Sequence, residues 1–313
     1  MRIRKPCAAQ TAGLGNIFSQ KNNKGEENET MKKILALVLV LIMALGLAAC
    51  AAPAAPAEEP TPAAEPETEK VDSQAILAEL KTPAEESNWE RTTSSQEVID
   101  FLKVVAEHSA GRIILDTTTF ATEAGTPIPY MIISDVAPAS PADVPEDKGV
   151  VYVNCNIHSG EIEGKESMMI FAREVAQGKH DDLLKDLVVI IVPNSNPDGN
   201  DNLGKNRITT QFTPKLVGTR AEGNGLNVNR DMTKLETACG RTIVKLMNDW
   251  NPILFIDAHA TDGSYMRHAV TYNWGLNAGT DAELLAYNRD VFCSRALREG
   301  SYLASKGKVA VPY

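Results

Sequence analysis

The sequence predicts an α/β layer architecture, a largely parallel or mixed sheet covered by helices, on three observations. The stretches 149–157, 187–193 and 253–258 are short, nearly continuous Val/Ile runs, the pattern of strands buried on both faces. Segments with apolar residues at helical spacing, 163–176 and 235–250, alternate with them. A composition of 43% apolar and 23% charged residues over 313 positions supports a sizeable core and excludes wholesale disorder.

The front of the chain is not part of that domain. Met31-Lys32-Lys33 opens a run, 34–49, that is apolar apart from Gly46 and ends Leu47-Ala48-Ala49-Cys50. A charged start, a short apolar stretch and small residues before a cut are the features of a secretion signal, and the run falls short of the ~20 residues a spanning helix needs. Leu-Ala-Ala-Cys resembles the lipobox of bacterial lipoproteins, which implies that Cys50 is the lipidated first residue of the mature protein. Residues 1–30 sit ahead of the signal as a charged, Asn-rich extension, read here as the product of a misplaced start codon. Gly25-Glu26-Glu27 would be the translated trace of a purine-rich ribosome-binding site. Residues 51–70 hold five Pro, seven Ala and five Glu with no large apolar side chain, so they read as a disordered spacer. The expected location is extracytoplasmic, with a lipid tether to a bacterial membrane.

From residue 72 the folded pattern begins. Val98, Ile99, Leu102, Val105 and Ala106 mark a helix over 95–108 with Ser94 or Ser95 as cap. Strands over 112–119 and 127–134 flank a Gly125-Thr126 turn, and a last helix is expected over 281–306. The net charge of −10 argues against a general basic surface that grips nucleic acid or anionic lipid. Cys7, Cys50, Cys155, Cys239 and Cys293 show no CxxC spacing, so a metal must use other ligands. Cys155 reads as a core hydrophobe, while Cys239 and Cys293 are free to pair or stay reduced.

In such sheets ligands gather beyond the carboxyl ends of the strands. The first buried run leads into His158-Ser159-Gly160-Glu161, the second into Asn194-Ser195-Asn196-Pro197-Asp198-Gly199, and the third into His259. Two of only five His therefore stand at strand mouths. Two imidazoles and a carboxylate can hold zinc while leaving a fourth position open, the arrangement of a hydrolytic site that activates water. His108, His180 and His268 lack such company and read as surface or packing residues.

His158-Ser159-Gly160-Glu161, Asn196-Pro197-Asp198-Gly199, Gly225-Leu226-Asn227-Val228-Asn229-Arg230 and Asp257-Ala258-His259 resemble, in kind and order, the zinc carboxypeptidases of the carboxypeptidase A type. The resemblance runs from about residue 92 to 259. It implies a three-layer α/β/α fold with an eight-stranded mixed sheet, and one zinc per chain held by His158, Glu161 and His259. It further implies a clamp of Asn229 and Arg230 on the substrate's terminal carboxylate, and an Arg that stabilises the oxyanion. Arg220 is the candidate for that Arg, with Arg207 second. Bidentate guanidinium binding of a carboxylate suits selection of chain ends.

Two departures stand out. The family carries Asp where this chain has Asn227, whose oxygen can still orient an imidazole but adds no charge; Asp257 is the candidate to compensate. The family's general-base Glu and the Tyr before it lie further beyond the third ligand than Tyr313. Glu283 and Glu299 fall in a helical pattern and are not assigned as base. The apolar ending Val309-Ala310-Val311-Pro312-Tyr313 reads as an interrupted strand, and the chain as C-terminally truncated and, so written, inactive or unstable. The expected function is zinc-dependent removal of C-terminal residues from peptides with a free carboxylate, peptidoglycan stem peptides among the candidates. The alternatives are a zinc N-acyl amino acid deacylase of the aspartoacylase or succinylglutamate desuccinylase kind, which shares the ligands and the Asn-Arg pair, and a lipoprotein that binds a carboxylate ligand without turnover.

Overall fold

The computed structural model describes residues 72–208, 211–260, 268–296 and 302–313. The upstream extension, the signal, Cys50 and the Ala/Pro/Glu stretch lie outside these residues, as does Glu299. Two short helices come first, α1 (Ser73–Glu79) and α2 (Pro83–Glu86), each started by a side-chain cap, Asp72 and Thr82. Helix α3 (Ser95–Glu107) follows, its apolar stripe Val98, Ile99, Leu102 and Val105 buried as the spacing predicts. Ser94 and Glu97 close its start with a reciprocal capping box.

The remaining elements are β1 (Ile113–Asp116), β2 (Tyr130–Ile133), β3 (Gly149–Cys155), α4 (Glu163–Ala176), α5 (Asp181–Leu184), β4 (Leu187–Val192), α6 (Pro197–Asp201), β5 (Gly204–Lys205), β6 (Leu216–Val217), α7 (Ala238–Trp250), β7 (Leu254–Ala258), β8 (Val270–Tyr272), α8 (Ala282–Ala286), α9 (Tyr302–Ser305) and β9 (Ala310–Pro312). The main sheet has the order β1-β2-β4-β3-β7. β1 and β2 pair antiparallel, as do β2 and β4, whereas β4–β3 and β3–β7 are parallel. The sheet is thus evenly mixed rather than largely parallel. Among the described residues it has five strands, not eight, with two separate two-stranded sheets, β5–β6 and β8–β9.

Alternation along the central strands makes the fold three-layered. Met131, Ile133, Val153, Val189 and Ile191 face α3 and α4 in one core. Ile132, Val150, Tyr152, Val188, Ile190 and Val192 face Ile243, Leu246 and Trp250 of α7 in the other. Strands covered on both faces need no polar side, which is why they read as Val/Ile runs.

The helix expected over 281–306 is not one α-helix. α8 passes into a π-helical stretch, Tyr287–Ala296, in which Val291, Phe292 and Cys293 are consecutive and lack the 3.6 spacing that would hold an α-helical face. Helix α7 starts later than expected because Leu235 has positive φ (59°) and Thr237 supplies the cap. Among the described residues no helix is long and apolar enough to cross a membrane.

Glu97 ties the start of α3 to the solvent side. Arg91 holds its carboxyl down at about 2, with burial opposing and Ser94 assisting. Because the folded value lies below the ordinary one, the contribution is present above pH ~4.3 and is lost as pH falls towards 2. Glu97→Gln is expected to cost about 1 kcal/mol at pH 7, the usual worth of a cap. Urea unfolding midpoints of the variant and the parent should converge below pH 3; a gap that persists there would assign the effect to packing.

Candidate metal centre

β3 ends in a bend made by Asn156, whose φ of 61° is left-handed, a region Asn tolerates better than most residues. Its Nδ2 donates to Asn194 Oδ1 at 2.7 Å and Asn200 Oδ1 at 3.1 Å, so the bend is fastened from beneath. Beyond it, the Glu161 amide donates to the His158 carbonyl (2.9 Å), a tight turn that folds the Glu161 side chain back on the ring. β7 runs parallel beside β3 with Cys155 opposite Ala258, so His259 leaves its strand next to that turn. Residues about 100 positions apart meet because parallel strands in register end together.

His158, Glu161 and His259 each present a donor atom within 4.8 Å of the others. His158 Nδ1 lies 2.8 Å from Glu161 Oε1 and His259 Nδ1 2.7 Å from Oε2. The Ala260 amide also donates to Oε2 (3.1 Å). His158 and Glu161 are buried, and the His259 side chain keeps 30% of its exposure. Burial raises the Glu161 carboxyl, but hydrogen bonds from the two imidazoles outweigh it and hold the group at about 2. Burial lowers His259, while Asp257 and then Glu161 raise it further, to about 9.

The far nitrogens are equally committed. His158 Nε2 sits 3.1 Å from Asn227 Oδ1, and His259 Nε2 2.9 Å from Asp257 Oδ2. Asn227 Oδ1 also accepts the Asn229 amide at 3.0 Å, so it acts as acceptor and the ring Nε2 donates. Glu161, ionised, only accepts, so without a metal each Nδ1 donates to it; a cation in the place of those two protons would be held by the Nδ1 lone pairs. This donor set of two imidazole nitrogens and a carboxylate fits one zinc.

A cavity of about 400 Å³ opens over the three residues, lined also by Arg220, Asn229 and Asp257. Arg220 Nη1 stands 3.8 Å from Glu161 Oε1, with the side chain half exposed. Arg207 does not line this cavity but an adjoining one. Arg230 lines neither; it is exposed, and its Nη1 donates to the Asn229 carbonyl at 2.6 Å. Among the described residues the only side-chain carboxylates at the cavity are Glu161 and Asp257, both bonded to imidazoles; Glu283, on α8, does not line it.

Gly199 allows a close backbone approach. Asn196 caps α6 by accepting the Gly199 amide (2.9 Å), and a Cβ on Gly199 would lie 2.7 Å from the Ala221 carbonyl. Gly218 shows the same kind of close approach, its would-be Cβ meeting the Gly199 and Ser159 carbonyls at 2.6 and 2.7 Å. No signal in the sequence distinguished Gly218. Cys239 is a free thiol that donates to Glu222 Oε1 (2.8 Å), and Cys155 and Cys293 are free as well. His180 bonds Glu174 and packs on Phe171, and His108 bonds Ser73, as structural histidines do.

Among solved structures, those similar to the chain include metallocarboxypeptidases. One from Burkholderia cenocepacia is 18% identical, with 54% of this chain and 42% of that chain covered and a TM-score of 0.42. Carboxypeptidase A from Helicoverpa armigera is 16% identical, with 76% and 61% covered and a TM-score of 0.46. One from Pseudomonas aeruginosa, in complex with (2-guanidinoethylmercapto)succinic acid, is 19% identical, with 52% and 39% covered and a TM-score of 0.37. The chain thus spans about half the length of the solved structures it matches. No curated protein matches it. Residues 114–238 match the zinc carboxypeptidase family model, a stretch that holds His158, Glu161, Asn227, Asn229 and Arg230 and ends ahead of His259.

Proposed function

We propose that the protein is a zinc-dependent carboxypeptidase that removes C-terminal residues from peptides, tethered outside the cytoplasm through Cys50. The observation that carries this reading is the shared aim of the two imidazoles: both Nδ1 atoms face Glu161 while both Nε2 atoms are held by side-chain oxygens. Zinc held there would polarise the scissile carbonyl and lower the pKa of a water molecule. Asn229, on the cavity wall, would donate its amide to the terminal carboxylate, and Arg230 joins by a side-chain rotation away from the Asn229 carbonyl. Arg220, beside Glu161, would donate to the carbonyl oxygen as negative charge grows on it, a contact typically worth ~10²–10³ in turnover. With a cation in place of the two Nδ1 protons, Asn227 and Asp257 would keep the remaining proton of each ring on Nε2.

Zinc content by elemental analysis, with hydrolysis of N-blocked dipeptides and of N-acyl amino acids by a full-length protein, tests the reading. One zinc per chain, lost in His158→Ala and His259→Ala, with preference for the dipeptides, is expected. Preference for the acyl amino acids would move the assignment to a deacylase, and a protein that takes up no zinc would remove the hydrolytic reading altogether. Asn227→Asp keeps both bonds to Oδ1 and adds a charge behind His158. It should tighten zinc about tenfold, the scale of changes behind a metal ligand, as measured by competition with a chromophoric chelator.

A further inference from the structure

Beside the cavity over the metal centre lies a second, of about 450 Å³, which shares His158, Glu161 and Arg220 with it. Its far wall is the β5–β6 hairpin, from which Lys205 and Arg207 face the space. The hairpin is bolted to the metal-binding turn. The Ser159 amide donates to the Thr219 carbonyl (3.3 Å), and the Gln211 side chain donates to the Gly160 carbonyl (3.0 Å). Together with the close approach at Gly218, these bonds fix Lys205 and Arg207 relative to His158 and Glu161.

Three cations gather at this cavity in a chain that is acidic overall. The protein has ten more acids than bases, and Arg91, Arg112, Arg173, Arg241 and Arg289 each bridge a carboxylate. The side chains of Lys205 and Arg207 have no carboxylate or hydrogen-bond partner among the described residues. With Arg220 they set three cations around a cavity whose only acid is Glu161. Cations left unpaired in an acidic protein, on a rigid wall, produce a local positive potential that favours an anionic guest.

We propose that this second cavity receives the peptide residues that precede the scissile bond, and that Lys205 and Arg207 select carboxylate side chains there. The proposal rests on the carboxypeptidase reading: a peptide with its terminal carboxylate at Asn229 crosses Glu161 and continues onto the Lys205 side. The substrate class is then an acidic peptide. The wall is open to solvent, so the preference should be moderate and should weaken with salt.

The test compares acetyl-Glu-Glu-Leu with its uncharged isostere acetyl-Gln-Gln-Leu. With zinc-loaded full-length protein at low ionic strength, kcat/KM should favour the acidic peptide by roughly 3- to 10-fold, shrinking as salt is added. Lys205→Gln and Arg207→Gln should each bring the ratio towards one, and Lys205→Glu should invert it. Binding of both peptides to chelator-treated protein, followed by calorimetry, supplies a readout without turnover. Equal hydrolysis of the two peptides leaves the carboxypeptidase standing and overturns the subsite. Tighter binding of the acidic peptide, abolished by Lys205→Gln but without hydrolysis of either, keeps the subsite and overturns the carboxypeptidase.

Discussion

Glu161→Gln is expected to abolish stoichiometric zinc binding and, with it, hydrolysis. The carboxylate is the one group that both imidazoles address, with His158 Nδ1 at 2.8 Å and His259 Nδ1 at 2.7 Å. An amide of the same shape has one oxygen instead of two, so it can serve one ring as acceptor and turns an NH₂ towards the other. The site also loses the only negative charge in its donor set. Outer contacts to a metal ligand typically change affinity ~10–100-fold, and loss of the ligand itself should exceed that range. Zinc per chain after dialysis against a chelator measures it; a variant that keeps one tightly held zinc would place the ion elsewhere.

The same substitution has a signature that needs no metal. The carboxyl of Glu161 is held at about 2, below its ordinary value, so it stabilises the fold above pH ~4.3 and that contribution disappears as pH falls towards 2. The Gln variant lacks it from the start, and the two proteins should approach equal stability in acid. His259 stands at about 9 because Asp257 and Glu161 together outweigh its burial. In the metal-free variant its titration, followed by NMR, should move down towards the ordinary His range and retain only the Asp257 share.

What the sequence made legible, and what it hid, follow from how each part is held. β3 is visible because burial on both faces leaves a nearly unbroken apolar run, and His158 and Glu161 stand where it ends. The run over 253–258 leads to His259 in the same way, but the expected burial fails there. Among the described residues β7 pairs with β3 alone, none of its residues is buried and Ile256 is exposed. The Asn227–His158 bond was also readable, since it follows from the resemblance once Asn is placed where the family has Asp. The β5–β6 hairpin was not: its strands are two residues each, too short for any alternation, and its position depends on the glycine approach at Gly218. Helix α4 was located to the residue, yet its adjacent charges at 165 and 166 look in sequence like a solvated face. Only the tertiary contact with Thr92 and Thr93 shows that both are buried.

That buried pair carries the largest stability prediction. Lys165 is fully buried; its Nζ donates to Thr92 Oγ1 (2.8 Å), Asn200 Oδ1 (2.7 Å) and the Thr93 carbonyl, and stands 3.4 Å from Glu166 Oε1. Glu166 in turn accepts the Thr93 amide (2.9 Å) and the Thr93 hydroxyl (2.7 Å). Lys165→Met fills similar volume but leaves a buried carboxylate without its cation and removes one of the two donors that the Thr93 carbonyl and Asn200 Oδ1 each receive. Breaking a buried pair in this way costs about 3–5 kcal/mol, a large part of the 5–15 kcal/mol that holds a typical domain together. Urea unfolding should show it, and Lys165→Met combined with Glu166→Gln should cost less than the two singles summed, because the doubly changed protein no longer buries a lone charge. The damage should also reach the metal centre, since Asn200 Oδ1 accepts from both Lys165 and Asn156, and Asn156 sets the bend before His158. A cost under 1 kcal/mol would mean that Lys165 folds as a neutral amine. Burial does push its pKa down, against the pull of Glu166, so the size of the loss reports which of the two wins.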